Sequence, residues 1–247
     1  MKRTALVVAL GAMAACSAPQ GASVDGIHDP YEQTNRATHA FNKGLDRALL
    51  RPASNGYDAV LPDPVQTGVS NFASNLALPG TIVNNLLQAD LHSAGQNTTR
   101  FFLNTTLGIG GLFDPAGAAN VPAVEADFGQ TLAVWGVREG AYVELPFIGP
   151  STERDTVGTV VDVALNPLSY ILQHPEAGYA TGARAGKVLD TRSKLGSTID
   201  DVLYNSADSY AQSRLIYLQN RRFELGEDTG DAYVDPYIDP YEDLPGG

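Results

Sequence analysis

Cysteine is almost missing from this 247-residue chain: Cys16 stands alone, so no disulfide ties the fold together from within. Positive charge is scarce, with 16 Lys and Arg against 28 Asp and Glu and a formal net charge of −12. A surface of that sign repels phosphate backbones and argues against nucleic acid as a partner. The same balance argues against attachment to anionic lipid through a basic patch. Long apolar runs are missing too; Ala5–Leu10 is far shorter than the roughly 20 residues that cross hydrocarbon. Catalytic signatures do not occur: there is no Gly-x-Ser-x-Gly, no His-Glu-x-x-His and no phosphate loop. His28, His39, His92 and His174 are too scattered to form a ligand cluster and read as satisfied or solvated side chains. Asp155 beside Arg154, and Asp114 among glycines, read as caps or charge pairs. Neither enzyme, metal nor cofactor is expected.

What is present begins at the N-terminus. Lys2 and Arg3 precede the apolar run, and the small residues Ala14-Ala15 lead into Cys16. That order reads as a secretory signal. Met13-Ala-Ala-Cys16 looks like a bacterial lipoprotein processing site, with Met13 where leucine is more usual. Residues 1–15 are then a lipoprotein signal peptide and Cys16 carries acyl chains. Residues 16–28 form a lipidated linker containing Ser17-Ala-Pro-Gln-Gly-Ala-Ser23.

The remainder reads as helical. Asp29, Pro30 and Glu32 form a capping box for a helix Pro30–Leu50 that Arg51-Pro52 ends. A second helix opens at Asp63-Pro64 and breaks at Leu78-Pro79-Gly80. Thr81 to about Leu107 contains no proline and predicts one helix of roughly 40 Å. In Gly108-Ile-Gly-Gly-Leu-Phe-Asp-Pro-Ala-Gly117, glycines flank Leu112-Phe113 and predict a tight hairpin or hinge. Its apolar pair either packs into the core or forms a mobile wedge. Glu125–Trp135 reads as a short helix, Tyr142–Pro146 as extended, and Thr152–Leu165 as a helix stopped by Asn166-Pro167. A weaker helix follows Pro175 through Leu189, with Gly178, Gly182 and Gly186 at a spacing that allows close helix contact. The last helix runs from about Thr198 to Leu225. After Arg222 no cation remains, and the acidic tail 226–247, with its repeated Asp-Pro-Tyr, predicts disorder.

Amides sit beside large aliphatics in Asn71-Phe72-Ala73-Ser74-Asn75-Leu76 and in Asn84-Asn85-Leu86-Leu87-Gln88. Caps and interhelix bonds account for this mixture, and so does an amphipathic path that touches both acyl chain and headgroup. These segments carry a resemblance to the MlaA/VacJ family of outer-membrane lipoproteins. The matches include Asp29-Pro30-Tyr31-Glu32, Leu45-Asp46-Arg47, Leu50-Arg51-Pro52, Gly68-Val69-Ser70-Asn71-Phe72 and Asn85-Leu86-Leu87-Gln88. They continue with Asn104-Thr105-Thr106-Leu107-Gly108, Gly111-Leu112-Phe113-Asp114, Asp127-Phe128-Gly129-Gln130-Thr131-Leu132, Trp135-Gly136-Val137, Arg154-Asp155 and Tyr217-Leu218-Gln219. Leu172–Lys187, Arg138-Glu139-Gly140 and the tail depart from the pattern.

The resemblance implies an all-α, ring-shaped single domain over 29–225, embedded in the periplasmic leaflet of the outer membrane around an amphipathic central channel. It implies a phospholipid-transport lipoprotein, not an enzyme, that maintains lipid asymmetry. Phospholipid mislocalised to the outer leaflet passes through the channel to a soluble periplasmic lipid carrier of the MlaC type. A trimeric porin is the implied membrane partner. The family's channel hairpin falls on Gly108, Gly110, Gly111, Leu112, Phe113 and Asp114. The alternative is a structural or adaptor lipoprotein that binds a porin or the cell wall.

Overall fold

The computed structural model describes residues 27–172 and 175–227. The signal segment, Cys16, His174 and the acidic tail after Glu227 lie outside the described residues.

The chain is mostly helical, with a single two-stranded hairpin among the described residues. Helix α1 spans Glu32–Leu45 and passes without a break through a π-helical turn, Asp46–Leu50, into α2, Arg51–Val60. Pro52 therefore does not end the helix as its sequence suggests. The wider π turn lies immediately before it and bonds Arg51 N–H to Asp46 C=O, which makes room for a ring that a regular helix would reject. The expected capping box does not form either: Tyr31 occupies the cap position without a side-chain bond. The Asp29 carboxylate is drawn away instead, accepting from Asn35 Nδ2 at 2.9 Å and from Tyr210 and Arg214 on the last helix.

Helix α3, Asp63–Leu87, runs straight through Pro79-Gly80, where the sequence predicts a break. Pro79 costs it the bond that Asn75 C=O would receive, and burial of flanking residues Asn75, Leu78 and Asn84 holds the helix together. The break comes later, at Gln88-Ala89-Asp90. Ala89 takes a left-handed φ of 59° and Asp90 caps α4, Leu91–Thr106, through Ser93 N–H. The predicted single 40 Å helix from Thr81 is thus the last two turns of α3 followed by α4 folded back on it, since left-handed Ala89 turns the chain and Asp90 starts a new helix.

Asp114 caps the short α5, Pro115–Ala118, and Asp127 caps α6, Phe128–Val134. Strands β1, Tyr142–Leu145, and β2, Gly149–Thr152, pair antiparallel with Tyr142 opposite Thr152. Thr152 caps α7, Glu153–Leu165, which packs on α6. A one-turn α8, Leu168–Ile171, follows. Helix α9, Glu176–Lys194, lies across α2 and α3. Of its three spaced glycines only Gly186 makes a close approach, to Val69 and Tyr57; nothing lies within 4 Å of a Cβ built on Gly178 or Gly182.

The expected terminal helix is two pieces. Helix α10, Gly196–Asp200, leads into a second π turn, Asp201–Asn205, and the chain then breaks so that Asp208 caps α11, Ser209–Glu224. Arg36 on α1 meets Asp208 at 2.9 Å, which joins the first long helix to the last.

Candidate functional site

The interior of this fold is polar. Asn35, Gln66, Asn75, Asn84, Asn85, Asn97, Asn104, Thr131, Glu144, Arg154, Asp155, Arg192 and Arg221 are buried, whereas more than half of the buried apolar residues are alanine. Large apolar side chains point outward: Leu86, Leu91, Phe102, Leu107, Phe113, Trp135, Phe147, Ile148, Val160, Ile171 and Phe223 are all exposed. Water-soluble domains arrange these groups the other way round, and exposed apolar area of this extent marks a membrane or partner surface.

The amides that sit beside aliphatics in the sequence supply this interior. Asn97 Nδ2 donates at 2.8 Å to Asn85 Oδ1 and to Val124 C=O, tying α4 to α3 and to the segment before α6. Asn84 Nδ2 donates at 2.7 Å to Asp162 Oδ1, while Asn84 Oδ1 accepts from Thr131 Oγ1 at 3.2 Å. Gln88 reaches Thr131 Oγ1 at 3.0 Å. Each amide holds one helix to another and leaves the neighbouring leucines free on the outer side. Among the described residues no helix is long and apolar enough to cross a membrane.

Two cavities open in this interior. The first, about 340 Å³, lies between α3 (Ala77, Gly80, Thr81, Asn84), α7 (Thr159, Asp162, Val163) and Arg184 of α9. The second, about 250 Å³, lies between Ile148 and Pro150 of the hairpin, Asp155 on α7, and Tyr217 and Arg221 on α11. Thr159 and Asp162 line both. Each cavity mixes carbon with charge: Ala77 and Val163 face Asp162 and Arg184 in one, Ile148 and Pro150 face Asp127 and Arg221 in the other.

Asp162 is the shared polar group. Burial pushes its carboxyl above the usual range, partly offset by the Phe128 N–H at 3.0 Å and by Asn84. Asp155 is buried as well. Desolvation raises it, but donation from Arg221 and from Tyr217 Oη at 2.6 Å prevails and keeps it below its ordinary value. Arg221 also takes Asp127 at 2.8 Å through both terminal nitrogens. Burial lowers the pKa of Arg221, but the bonds to Asp127 and Asp155 outweigh it and raise the guanidinium, so the cation persists. This network joins the start of α6, the start of α7 and the end of α11 into one rigid wall.

The predicted hairpin residues line neither cavity, although their turn docks on α3, which also lines the first. Gly108 through Phe113 form a turn with Ile109, Gly110 and Gly111 at positive φ. The turn docks on α3, where Asn71 Nδ2 donates to Leu112 C=O at 3.3 Å and Asn75 lies under Gly111. Asp114 fixes its far end, accepting from Arg100 Nη2 at 2.9 and 2.8 Å, Asn104 Nδ2 at 2.8 Å and Gly117 N–H at 2.9 Å. Leu112 and Phe113 are 42% and 61% exposed, so they do not pack into the core. Asp114 is both a cap and a charge partner.

His39 is buried between Glu144 and Ser209, and His92 is exposed. No group of His, Cys, Asp and Glu among the described residues is arranged to hold a metal. Sequence reasoning missed Asp162 and Arg184. Asp162 carries a signal nonetheless, as the lone charge within Val157–Val163.

The sequence profile of the MlaA lipoprotein family matches residues 27–224. An uncharacterised protein of Rickettsia felis is 40% identical over 189 residues, covering 76% of this chain and 74% of its own. The intermembrane phospholipid transport system lipoprotein MlaA of Shigella flexneri is 37% identical, covering 90% of this chain and 88% of its own. A solved structure reported as the structural basis for maintenance of bacterial outer membrane lipid asymmetry superposes with a TM-score of 0.69. It is 38% identical and covers 80% of this chain and 98% of that one. The chain belongs to the MlaA lipoprotein family.

Proposed function

We propose that this protein maintains outer-membrane lipid asymmetry by withdrawing mislocalised phospholipid from the outer leaflet and passing it toward the periplasm. The observation that carries the reading is the inversion of its helices, polar within and apolar without. A phospholipid tail holds many CH₂ groups at about 0.8 kcal/mol each, so it must travel without full wetting. Its headgroup cannot travel in hydrocarbon. The two cavities, which share Thr159 and Asp162 in their walls, offer both kinds of wall, and a lane running past these two residues would carry tail and headgroup together. No bond is made or broken, so the role is transport and not catalysis.

The protein is an outer-membrane, lipid-anchored component facing the periplasm. In the proposed arrangement Cys16 carries the acyl anchor and the helical body over 29–225 sits as a ring in the inner leaflet, beside a trimeric porin. The Gly108–Asp114 turn forms a rim: its backbone is fixed at Asn75 and Asp114, and Leu112 and Phe113 present the apolar surface that passing tails meet. A soluble periplasmic lipid carrier of the MlaC type receives the phospholipid.

Transfer of labelled phospholipid from proteoliposomes to a soluble acceptor tests this. Thr159→Trp, on the wall that both cavities share, is expected to abolish transfer while the protein stays folded and membrane-bound. Leu112→Asp and Phe113→Asp are expected to slow it. Normal transfer by a folded Thr159→Trp variant would overturn the lane. Detergent-extracted protein carrying no phospholipid would favour an adaptor role instead.

A further inference from the structure

The two π-helical turns meet at one place, and Tyr204 is the contact. Its hydroxyl donates to Asp46 Oδ2 at 2.7 Å, from the second π turn to the first. Three cations crowd its ring: Arg47 Cζ lies 4.9 Å from the centroid, Arg51 Cζ 5.3 Å and Lys43 Nζ 5.6 Å. They sit four residues apart along α1, its π turn and α2. Like charges at that spacing repel and weaken a helix. The aromatic face offsets part of that cost.

Neighbouring carboxylates neutralise only part of the group. Asp46 is taken by Arg192, at 2.7 and 2.9 Å, and Asp200 is shared between Arg192 and Arg51. Asp201 accepts from Asn205. Lys43 donates to Ser209 Oγ at 3.3 Å. Among the described residues Lys43 and Arg47 have no carboxylate partner, and Arg47 is exposed. A chain of net charge −12 therefore carries a local cationic patch that its overall balance hides.

The same segment exposes apolar residues on its other side. Phe41 and Leu49 are both exposed, and Phe41 packs edge-on against Phe147, itself exposed beside Ile148. Long basic side chains on one side of a segment and exposed aromatic and aliphatic groups on the other are the amphipathic arrangement of a membrane interface, where cations reach the phosphate level and the apolar groups enter the acyl region. An acidic protein surface would satisfy the cations but leave Phe41, Phe147 and Ile148 in water.

We propose that Lys43 and Arg47, gathered with the Asp200-paired Arg51 around Tyr204, bind the phosphate of an anionic glycerophospholipid at the membrane surface, separately from the transport lane. The site orients the body against the leaflet. Such a site would be a local exception to the expectation from net charge, which argues against attachment through a basic patch.

The test uses the full-length, detergent-solubilised protein titrated with dioctanoyl-phosphatidylglycerol, dioctanoyl-phosphatidylcholine and inorganic phosphate. The wild type is expected to prefer the glycerol lipid, and Lys43→Gln/Arg47→Gln to lose roughly thirtyfold in that affinity, from about 1 kcal/mol per basic residue. Arg47→Lys is expected to retain most of it. Unchanged thermal unfolding shows that the double variant is folded; if it is not, single Arg47→Gln, on an exposed side chain, replaces it. Equal affinity in wild type and variant would overturn the proposal. So would equal competition by inorganic phosphate, or binding that emerges only when residues 228–247 are removed, since the acidic tail would then be the occupant. The double variant is expected to transfer lipid at a normal rate from zwitterionic vesicles, so this site and the lane fail separately.

Discussion

Arg221 meets Asp155 side-on, with Nη2 2.9 Å from Oδ1 and Nε 3.1 Å from Oδ2, and both side chains are about 8% exposed. This pairing fixes α11 against the start of α7. Because Arg221 also holds Asp127, its position determines how the wall of the second cavity closes.

Removing Arg221 takes the cation from Asp127 and leaves the buried Asp155 with only the longer cationic contact to Arg154, 3.4 Å away. Losing one member of a buried pair costs about 3–5 kcal/mol. Arg221→Met is expected to lower unfolding stability by that amount in denaturant titration. Arg221→Lys is expected to recover little, because an ammonium cannot serve Asp127 and Asp155 in the same side-on geometry. A Met variant within about 1 kcal/mol of wild type would show that the network is decorative.

The turn at Gly108–Asp114 depends on Asp114 in a similar way. Burial raises the Asp114 carboxyl, yet the Gly117 N–H, Arg100 and Asn104 together hold it below its usual value. Asp114→Ala removes all three bonds and leaves Arg100 without its carboxylate. Amide hydrogen exchange is expected to quicken across residues 107–118 and to stay unchanged in α11. Protection of that turn equal to wild type would mean that docking on Asn71 and Asn75 alone suffices.

Helices with a cap and a stop were legible in the sequence, as at Thr152 and Asn166-Pro167, because short-range chemistry decides them. Pro52 and Pro79 misled, since a π turn in one case and burial in the other outweigh a local penalty. The break at Gln88-Ala89-Asp90 carried only a capping aspartate, without glycine or proline to announce it. The site was legible as a mixture of amides and aliphatics. Which of these faced inward was not, because Asn84 and Leu86 differ by only two positions and the partners that hold Asn84 inward, Asp162 and Thr131, lie far along the chain. Arg184 was invisible for the same reason: it lines the cavity only because α9 lies across α3.

Acid titration is expected to have two phases. Asp208, bonded to Arg36, falls to about 2, and Asp155 and Asp46 are also held low, so their contribution is present above about pH 4 and is lost as pH falls toward their folded values. Asp162 has the opposite sign. Its folded value is raised, so the folded state takes up a proton first, and acidification from that value down to about pH 4 adds stability. Unfolding free energy should rise slightly and then fall. Asp162→Asn is expected to erase the rise and leave the fall intact; a rise that survives the substitution would assign it to another group.

The glycines of α9 separate helix propensity from packing. Gly178 and Gly182 sit in an exposed helix with nothing within 4 Å of an added Cβ, so alanine there removes backbone entropy from the unfolded chain without a clash. Gly178→Ala and Gly182→Ala are each expected to stabilise by about 0.5–1 kcal/mol. Gly186 is buried, and an added Cβ would lie 2.7 Å from Val69 Cγ1. Valine in a helix has one strongly preferred rotamer and cannot swing away, so α9 must lift from α3. Gly186→Ala is therefore expected to destabilise, by about 1–3 kcal/mol, typical of overpacking. Thermal unfolding of the three variants in the same detergent measures the split. Stabilisation by all three would mean that α9 does not rest on α3, and that the wall which brings Arg184 to the first cavity is loose.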